Sequence, residues 1–138
     1  KVAGTEAGVK EPTATFSHCF GAPFMPLDVS VYAKLLQEKI TKHSVNCWLV
    51  NTGWAGGGYG KGERMPISVS RTIVRAIVSG ELVDLPFATH EATGLSIPLS
   101  IDESTDNFLV PEALWPSAQE YNEACAKLMQ MFADNLKN

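Results

Sequence analysis

Apolar and polar positions divide the chain into segments of different period. Residues 1–12 repeat at neither 2 nor 3.6, and Gly4, Gly8 and Pro12 mark them as loop. Residues 13–20 alternate, with Thr13, Thr15 and Ser17 on one side and Ala14, Phe16 and His18 on the other, which predicts a strand. Gly21, Pro23 and Pro26 break that pattern. Asp28 is a suitable N-cap for a helix to about His43, in which Val31, Tyr32, Leu35, Leu36 and Ile40 form the apolar stripe. Lys34, Glu38, Lys39 and Lys42 fill its solvated face. Residues 45–51 read as a short buried strand. Ser68 is expected to cap a helix ending at Ser79, with Gly80 just beyond it and Val69, Ile73, Ala76 and Ile77 as its stripe. Arg71 and Arg75 then form an i, i+4 pair on an exposed or ligand-facing side. Residues 82–110 look irregular. Pro116 and Ser117 open a last amphipathic helix whose buried stripe is Tyr121, Cys125, Leu128, Met129 and Phe132.

The junction after the second predicted strand carries the strongest local signal. Cys47, Trp48, Leu49 and Val50 stop at Asn51-Thr52-Gly53-Trp54, and five glycines fall within residues 53–60 before Gly62 and Arg64. A buried strand feeding a glycine-rich loop and then a helix is where α/β proteins hold nucleotides, because glycine lets backbone N–H groups approach phosphate or ring atoms. A Walker loop needs Gly, four residues, then Gly-Lys and Ser or Thr. Here Ala55 replaces the first glycine and Gly62 follows Lys61, so the magnesium-holding hydroxyl is missing. A ligand loop and a flexible connector both remain open on this evidence.

Composition narrows the classes. A chain of 138 residues with 45% hydrophobic content can bury one core, and the element order reads as α/β or α+β in a single module, residues 1–138. Net charge of −4 and a pI near 5.3 leave no basic footprint for nucleic acid. No apolar run approaches the ~20 residues of a membrane span, and residues 1–10 lack the apolar core of a secretion signal. Cys19, Cys47 and Cys125 are odd in number and widely spaced, which reads as free thiols in a reducing compartment rather than a disulfide or zinc framework. Cys47 and Cys125 are expected in the core. Cys19, beside His18, reads as packing, since nothing completes a Cys-His nucleophile. His43 and His90 have no ligand spacing and are expected at the surface. After the loop, Arg64 can lie over a purine or donate paired hydrogen bonds to it, Met65 adds a polarizable wall, and Ser70 offers a hydroxyl beside the N–H groups of a first helical turn.

Longer phrases are more specific than the glycines. Residues 13–24 (TATFSHCFGAPF), 48–54 (WLVNTGW) and 62–67 (GERMPI), with 1–6 (KVAGTE) and 11–13 (EPT), resemble the ATP-dependent phosphoenolpyruvate carboxykinases. The resemblance is nearly continuous to about Leu82 and thinner afterwards. It corresponds to only the C-terminal part of a much longer enzyme.

The resemblance implies an α/β (mixed) fold, part of the C-terminal mononucleotide-binding domain of those enzymes. It implies a carboxy-lyase that converts oxaloacetate and ATP to phosphoenolpyruvate, CO2 and ADP with Mg2+ and Mn2+, in gluconeogenesis or its reverse, in the cytoplasm or an organelle. In the relatives, the arginine of a Gly-Lys-Arg phrase, the hydrophobic residue after it and a later threonine contact the adenine nucleotide. These fall on Arg64, Met65 and Ser70. The family's phosphate loop, metal ligands and oxaloacetate-gripping residues lie upstream, so no catalytic or metal-binding residue carries over, and the remaining carboxykinase polypeptide is the implied partner. Residues 3–13 resemble the lid that closes over nucleotide, and the block 1–13 is expected to be mobile. Glu63 replaces the family's lysine, and Glu112 replaces an arginine in the 111–115 turn. Pro98 resembles an Ile-Pro phrase. The chain alone is expected to be inactive. The alternative from another class is a non-catalytic nucleotide-binding or interaction module derived from the enzyme, and a third reading makes the glycine loop purely structural.

Overall fold

The computed structural model describes Gly8, residues 10–12, Phe16 and residues 21–135, and groups the chain into two compact units, Lys1–Leu49 and Val50–Asn138. The loop and lid expected over residues 1–13 and the strand expected over 13–20 fall mostly outside the described residues.

In the first unit a 3-10 turn, Ala22–Phe24, precedes α1, Val29–His43. Asp28 caps α1 as expected, its Oδ1 accepting the Ser30 N–H at 2.9 Å. The helix stops at Ser44, which adopts the left-handed conformation (φ +49°), and the Val45 N–H reaches back to the Ile40 carbonyl at 3.3 Å. That back-bond satisfies a terminal carbonyl, but a non-glycine residue in this conformation costs about 1–2 kcal/mol. Beyond it the strand expected over residues 45–51 does not form. Apolar side chains favour burial, yet a strand also needs a ladder for its backbone N–H and C=O groups, and among the described residues no ladder includes this run. Leu49 is 85% exposed and Cys47 is exposed too, not in the core.

Among its described residues the second unit holds two small antiparallel ladders and three helices. β1 (Trp54–Ala55) pairs with β2 (Glu63–Arg64), and β3 (Phe87–Thr89) pairs with β4 (Ser96–Pro98). α2 is Ile67–Ser79, α3 is Asp106–Leu109 and α4 is Ala118–Asn135, with 3-10 turns at Glu81–Asp84 and Pro111–Leu114. Helices mixed with small sheets are consistent with the expected α/β (mixed) class. α2 starts two residues before the expected point. Pro66, with φ already near the helical value, occupies the cap in place of Ser68. Its stripe is the expected one: Val69 and Ala76 are buried with Leu82 of the following turn, while Arg71 and Arg75 face solvent. Gly80 ends the helix at φ +82°.

Residues 82–110 contain more order than their sequence suggests. The β3–β4 hairpin lies there, as does fully buried Thr105, whose hydroxyl donates to the Asp102 carbonyl and accepts the Asp102 N–H. Asp102 Oδ1 collects the Ser104 and Thr105 N–H groups and the Ser104 hydroxyl, and this hydrogen bonding holds its carboxyl below the usual range. α4 begins where expected, with Ser117 Oγ accepting the Glu120 N–H at 3.2 Å. Its stripe differs from expectation: Tyr121 and Cys125 are half-buried, but Leu128, Met129 and Phe132 are exposed. Amphipathic spacing requires a covering surface, and no residue of α4 is buried by the described residues.

Candidate functional site

The glycine-rich segment is a hairpin loop, not the strand-to-helix loop expected. Trp54 is opposite Arg64 and Ala55 is opposite Glu63, and the Met65 N–H extends the ladder by donating to the Gly53 carbonyl at 3.0 Å. The Asn51 carboxamide accepts the Gly53 N–H at 3.0 Å and sets the entry to β1. Inside the loop, Gly62 donates to the Gly58 carbonyl at 2.8 Å. Two glycines are required by space. A Cβ on Gly62 would stand 2.3 Å from the Gly57 oxygen, and one on Gly56 (φ +74°) would stand 2.6 Å from the Leu114 oxygen. At the tip, Lys61 Nζ lies 3.2 Å from Glu120 Oε2, an exposed pair joining the loop to the first turn of α4.

Register decides which side chains share a face. Directly opposed residues of an antiparallel pair project to the same side, so Trp54 and Arg64 emerge together. The Arg64 guanidinium carbon stands 5.3 Å from the Trp54 ring centre, and Tyr59 meets the same indole edge-on at 5.6 Å with planes at 82°. Successive strand residues alternate, which puts Glu63 on the face away from Arg64. Met65 follows Arg64 directly and is half-buried. Ser70 is one turn into α2, its N–H bonded to the Pro66 carbonyl at 3.2 Å and its hydroxyl turned toward the same oxygen at 3.4 Å. Arg64 and Met65 are thus consecutive at the end of the hairpin, whereas Ser70 engages its own helix. This arrangement offers an exposed guanidinium with a defined position beside a glycine-rich turn. Among the described residues no three His, Cys, Asp or Glu side chains gather at metal-binding distance.

A concavity of about 600 Å3 lies elsewhere, between the β3–β4 hairpin and α4, walled in part by Ile97, Pro98, Val110 and Met129. Arg64, Met65 and Ser70 do not line it. His90, expected at the surface, is half-buried there: Nδ1 is 2.8 Å from Thr93 Oγ1 and Nε2 is 2.5 Å from the Tyr121 hydroxyl. Burial first, then the Cys125 thiol and the Glu112 charge, push the Tyr121 hydroxyl up to about 12. The pair ties hairpin to helix. Sequence reasoning missed both Trp54 and His90–Tyr121. A hairpin register over residues 54–64 would have exposed the first, but no local signal marks the second, whose partners are 31 residues apart.

Among the described residues no helix is long and apolar enough to cross a membrane. A family model described as phosphoenolpyruvate carboxykinase matches residues 1–107. The curated relatives include phosphoenolpyruvate carboxykinase (ATP) of Pelobacter propionicus, 52% identical over 98% of this chain and 26% of the relative. The same enzyme of Azorhizobium caulinodans is 51% identical over 98% of this chain and 25% of the relative. That of Allorhizobium ampelinum is 48% identical over 99% of this chain and 26% of the relative. The chain thus spans about a quarter of the length of the curated relatives it matches. The match extends past residue 82, where the quoted phrases thin out, and on this evidence the chain belongs to the phosphoenolpyruvate carboxykinase family.

Proposed function

We propose that this chain is a C-terminal portion of an ATP-dependent phosphoenolpyruvate carboxykinase and contributes its adenine-nucleotide pocket. The whole enzyme would convert oxaloacetate and ATP to phosphoenolpyruvate, CO2 and ADP, in the cytoplasm. The observation that carries the pocket is Arg64, exposed at the hairpin edge with its guanidinium held beside the Trp54 indole. Met65 would wall the purine. Ser70 would reach the nucleotide only by turning its hydroxyl away from the Pro66 carbonyl, a rotation that the long 3.4 Å contact permits. Phosphate, divalent cations and oxaloacetate would be gripped by residues outside this chain, which has no Walker phrase. The lid role of residues 3–13 rests on the family resemblance alone. The other reading, a non-catalytic nucleotide-binding module, draws on the same missing Walker phrase. The intact mass of the source protein separates the two.

The test is Arg64→Ala in the protein as its source makes it. Losing a charged hydrogen-bond donor typically costs about 1.5–3 kcal/mol, so the KM for ATP should rise roughly 10- to 150-fold while that for oxaloacetate changes little. Arg71→Ala, on the exposed face of α2, is the control. Equal effects of the two substitutions, or a defect confined to oxaloacetate, would refute the assignment. The 138-residue chain alone should show no oxaloacetate-dependent ATP turnover.

A further inference from the structure

We infer that Trp54 is a positioning residue for nucleobase binding: it holds the Arg64 guanidinium in place, so that the base is received by a cross-strand pair and not by a lone arginine. The inference rests on the reading of Arg64 as a nucleotide contact. An arginine on an exposed two-residue strand has many rotamers, and each must be given up when a ligand is gripped. The hairpin removes that freedom in advance. Trp54 is the register partner of Arg64, its indole centre is 5.3 Å from the guanidinium carbon, and Tyr59 braces the indole edge-on from the loop. The ring quadrupole attracts the cation, while Arg64 itself stays exposed. Its outer side is thereby left to a planar ligand, giving a layered order of indole, guanidinium and base. Gly62, which admits no Cβ, keeps the strands close enough for the pair to meet. A ring contact reads a π-face and not a base edge. The Trp54 contribution should therefore be the same for adenine and guanine nucleotides, even where the two differ in affinity.

The experiment uses steady-state kinetics on the protein as its source makes it, with ATP and GTP as the varied nucleotides. Trp54→Leu should raise both nucleotide KM values by a common factor of about 3- to 10-fold, leaving kcat and the KM for oxaloacetate within about twofold. Trp54→Phe, which keeps an aromatic face, should restore most of the loss. Trp54→Gln gives the same reading should the leucine variant fail to fold, since the position is partly exposed. In the double variant with Arg64→Ala, Trp54→Leu should add nothing, because its effect acts through the guanidinium. A nucleotide KM unchanged in both Trp54→Leu and Trp54→Gln, or additive losses in the double variant, would overturn the inference. The reading of Arg64 fails separately: it falls if Arg64→Ala itself leaves the ATP KM unchanged, and survives if only the Trp54 variants are silent.

Discussion

Gly62→Ala is the sharpest probe of the hairpin. The new Cβ would stand 2.3 Å from the Gly57 oxygen and 2.6 Å from the Ala55 oxygen, well inside the 3.0 Å that real Cβ contacts essentially never breach. Both obstacles are backbone atoms, so no side chain can swing aside and the two strands must part. Overpacking of this kind costs about 1–3 kcal/mol, and parting also removes the Gly62 to Gly58 hydrogen bond, worth about 0.5–1.5 kcal/mol. About 1.5–4.5 kcal/mol against the closed hairpin is the expected total. If nucleotide needs the closed form, apparent affinity falls by the fraction that remains closed. Once the penalty exceeds the closed form's own margin over open forms, each further ~1.4 kcal/mol raises the ATP KM tenfold. Two neighbours calibrate the result. Gly60→Ala meets no atom within 4 Å but has φ +82°, so it should cost only the left-handed penalty of about 1–2 kcal/mol. Gly58→Ala has open space and no positive φ and should stay within about 0.5 kcal/mol of the parent. Initial rates at varied ATP, with urea unfolding alongside, read all three. A Gly62→Ala protein indistinguishable from Gly58→Ala would refute the steric argument and the closed hairpin with it.

Two further outcomes follow from local geometry. Ser44→Gly relieves the left-handed strain at the end of α1 but gives the unfolded chain more freedom, so a net gain of about 0.5–1 kcal/mol in urea unfolding is expected, and a loss of stability would contradict it. Tyr121, raised from an ordinary 10.0 to about 12, keeps its proton in the folded state while the unfolded state releases it. Its stabilising effect is therefore complete below pH 10 and declines as pH climbs toward 12. Tyr121→Phe should flatten that stretch of the stability–pH curve, and an unchanged slope would show that another group sets it.

What the sequence displayed and what it concealed divide along the range of the interactions. Asp28, Ser117 and Gly80 are caps, settled by residues a few positions away, and each stands where its type and spacing indicated. The stripe of α2 is equally local and equally legible. Residues 45–51 misled because apolar content says nothing about whether a second strand is present to pair. The face of α4 misled for a related reason, since periodicity identifies a side that prefers cover but cannot supply the cover. Arg64 stood out by type and by resemblance. Its relation to Trp54 needed the register of a hairpin whose ladder is only two residues long, too short to leave an alternating pattern. His90 needed a partner on a different element altogether.

The close approach of Gly56 to the Leu114 carbonyl, together with the Lys61–Glu120 pair, has a consequence for how this chain can change over time. Leu114 and Glu120 bracket the connector into α4 and form a ceiling over the glycine loop, although they are more than fifty positions away from it in the chain. An insertion or deletion in that connector, where helix-joining loops are ordinarily permissive, would lift or lower the ceiling and so reshape the turn carrying Arg64. Variation at the Pro111–Leu114 turn and variation in the glycine loop are thus not independent. A side chain added at Gly56 would be tolerated only where the connector has already given way.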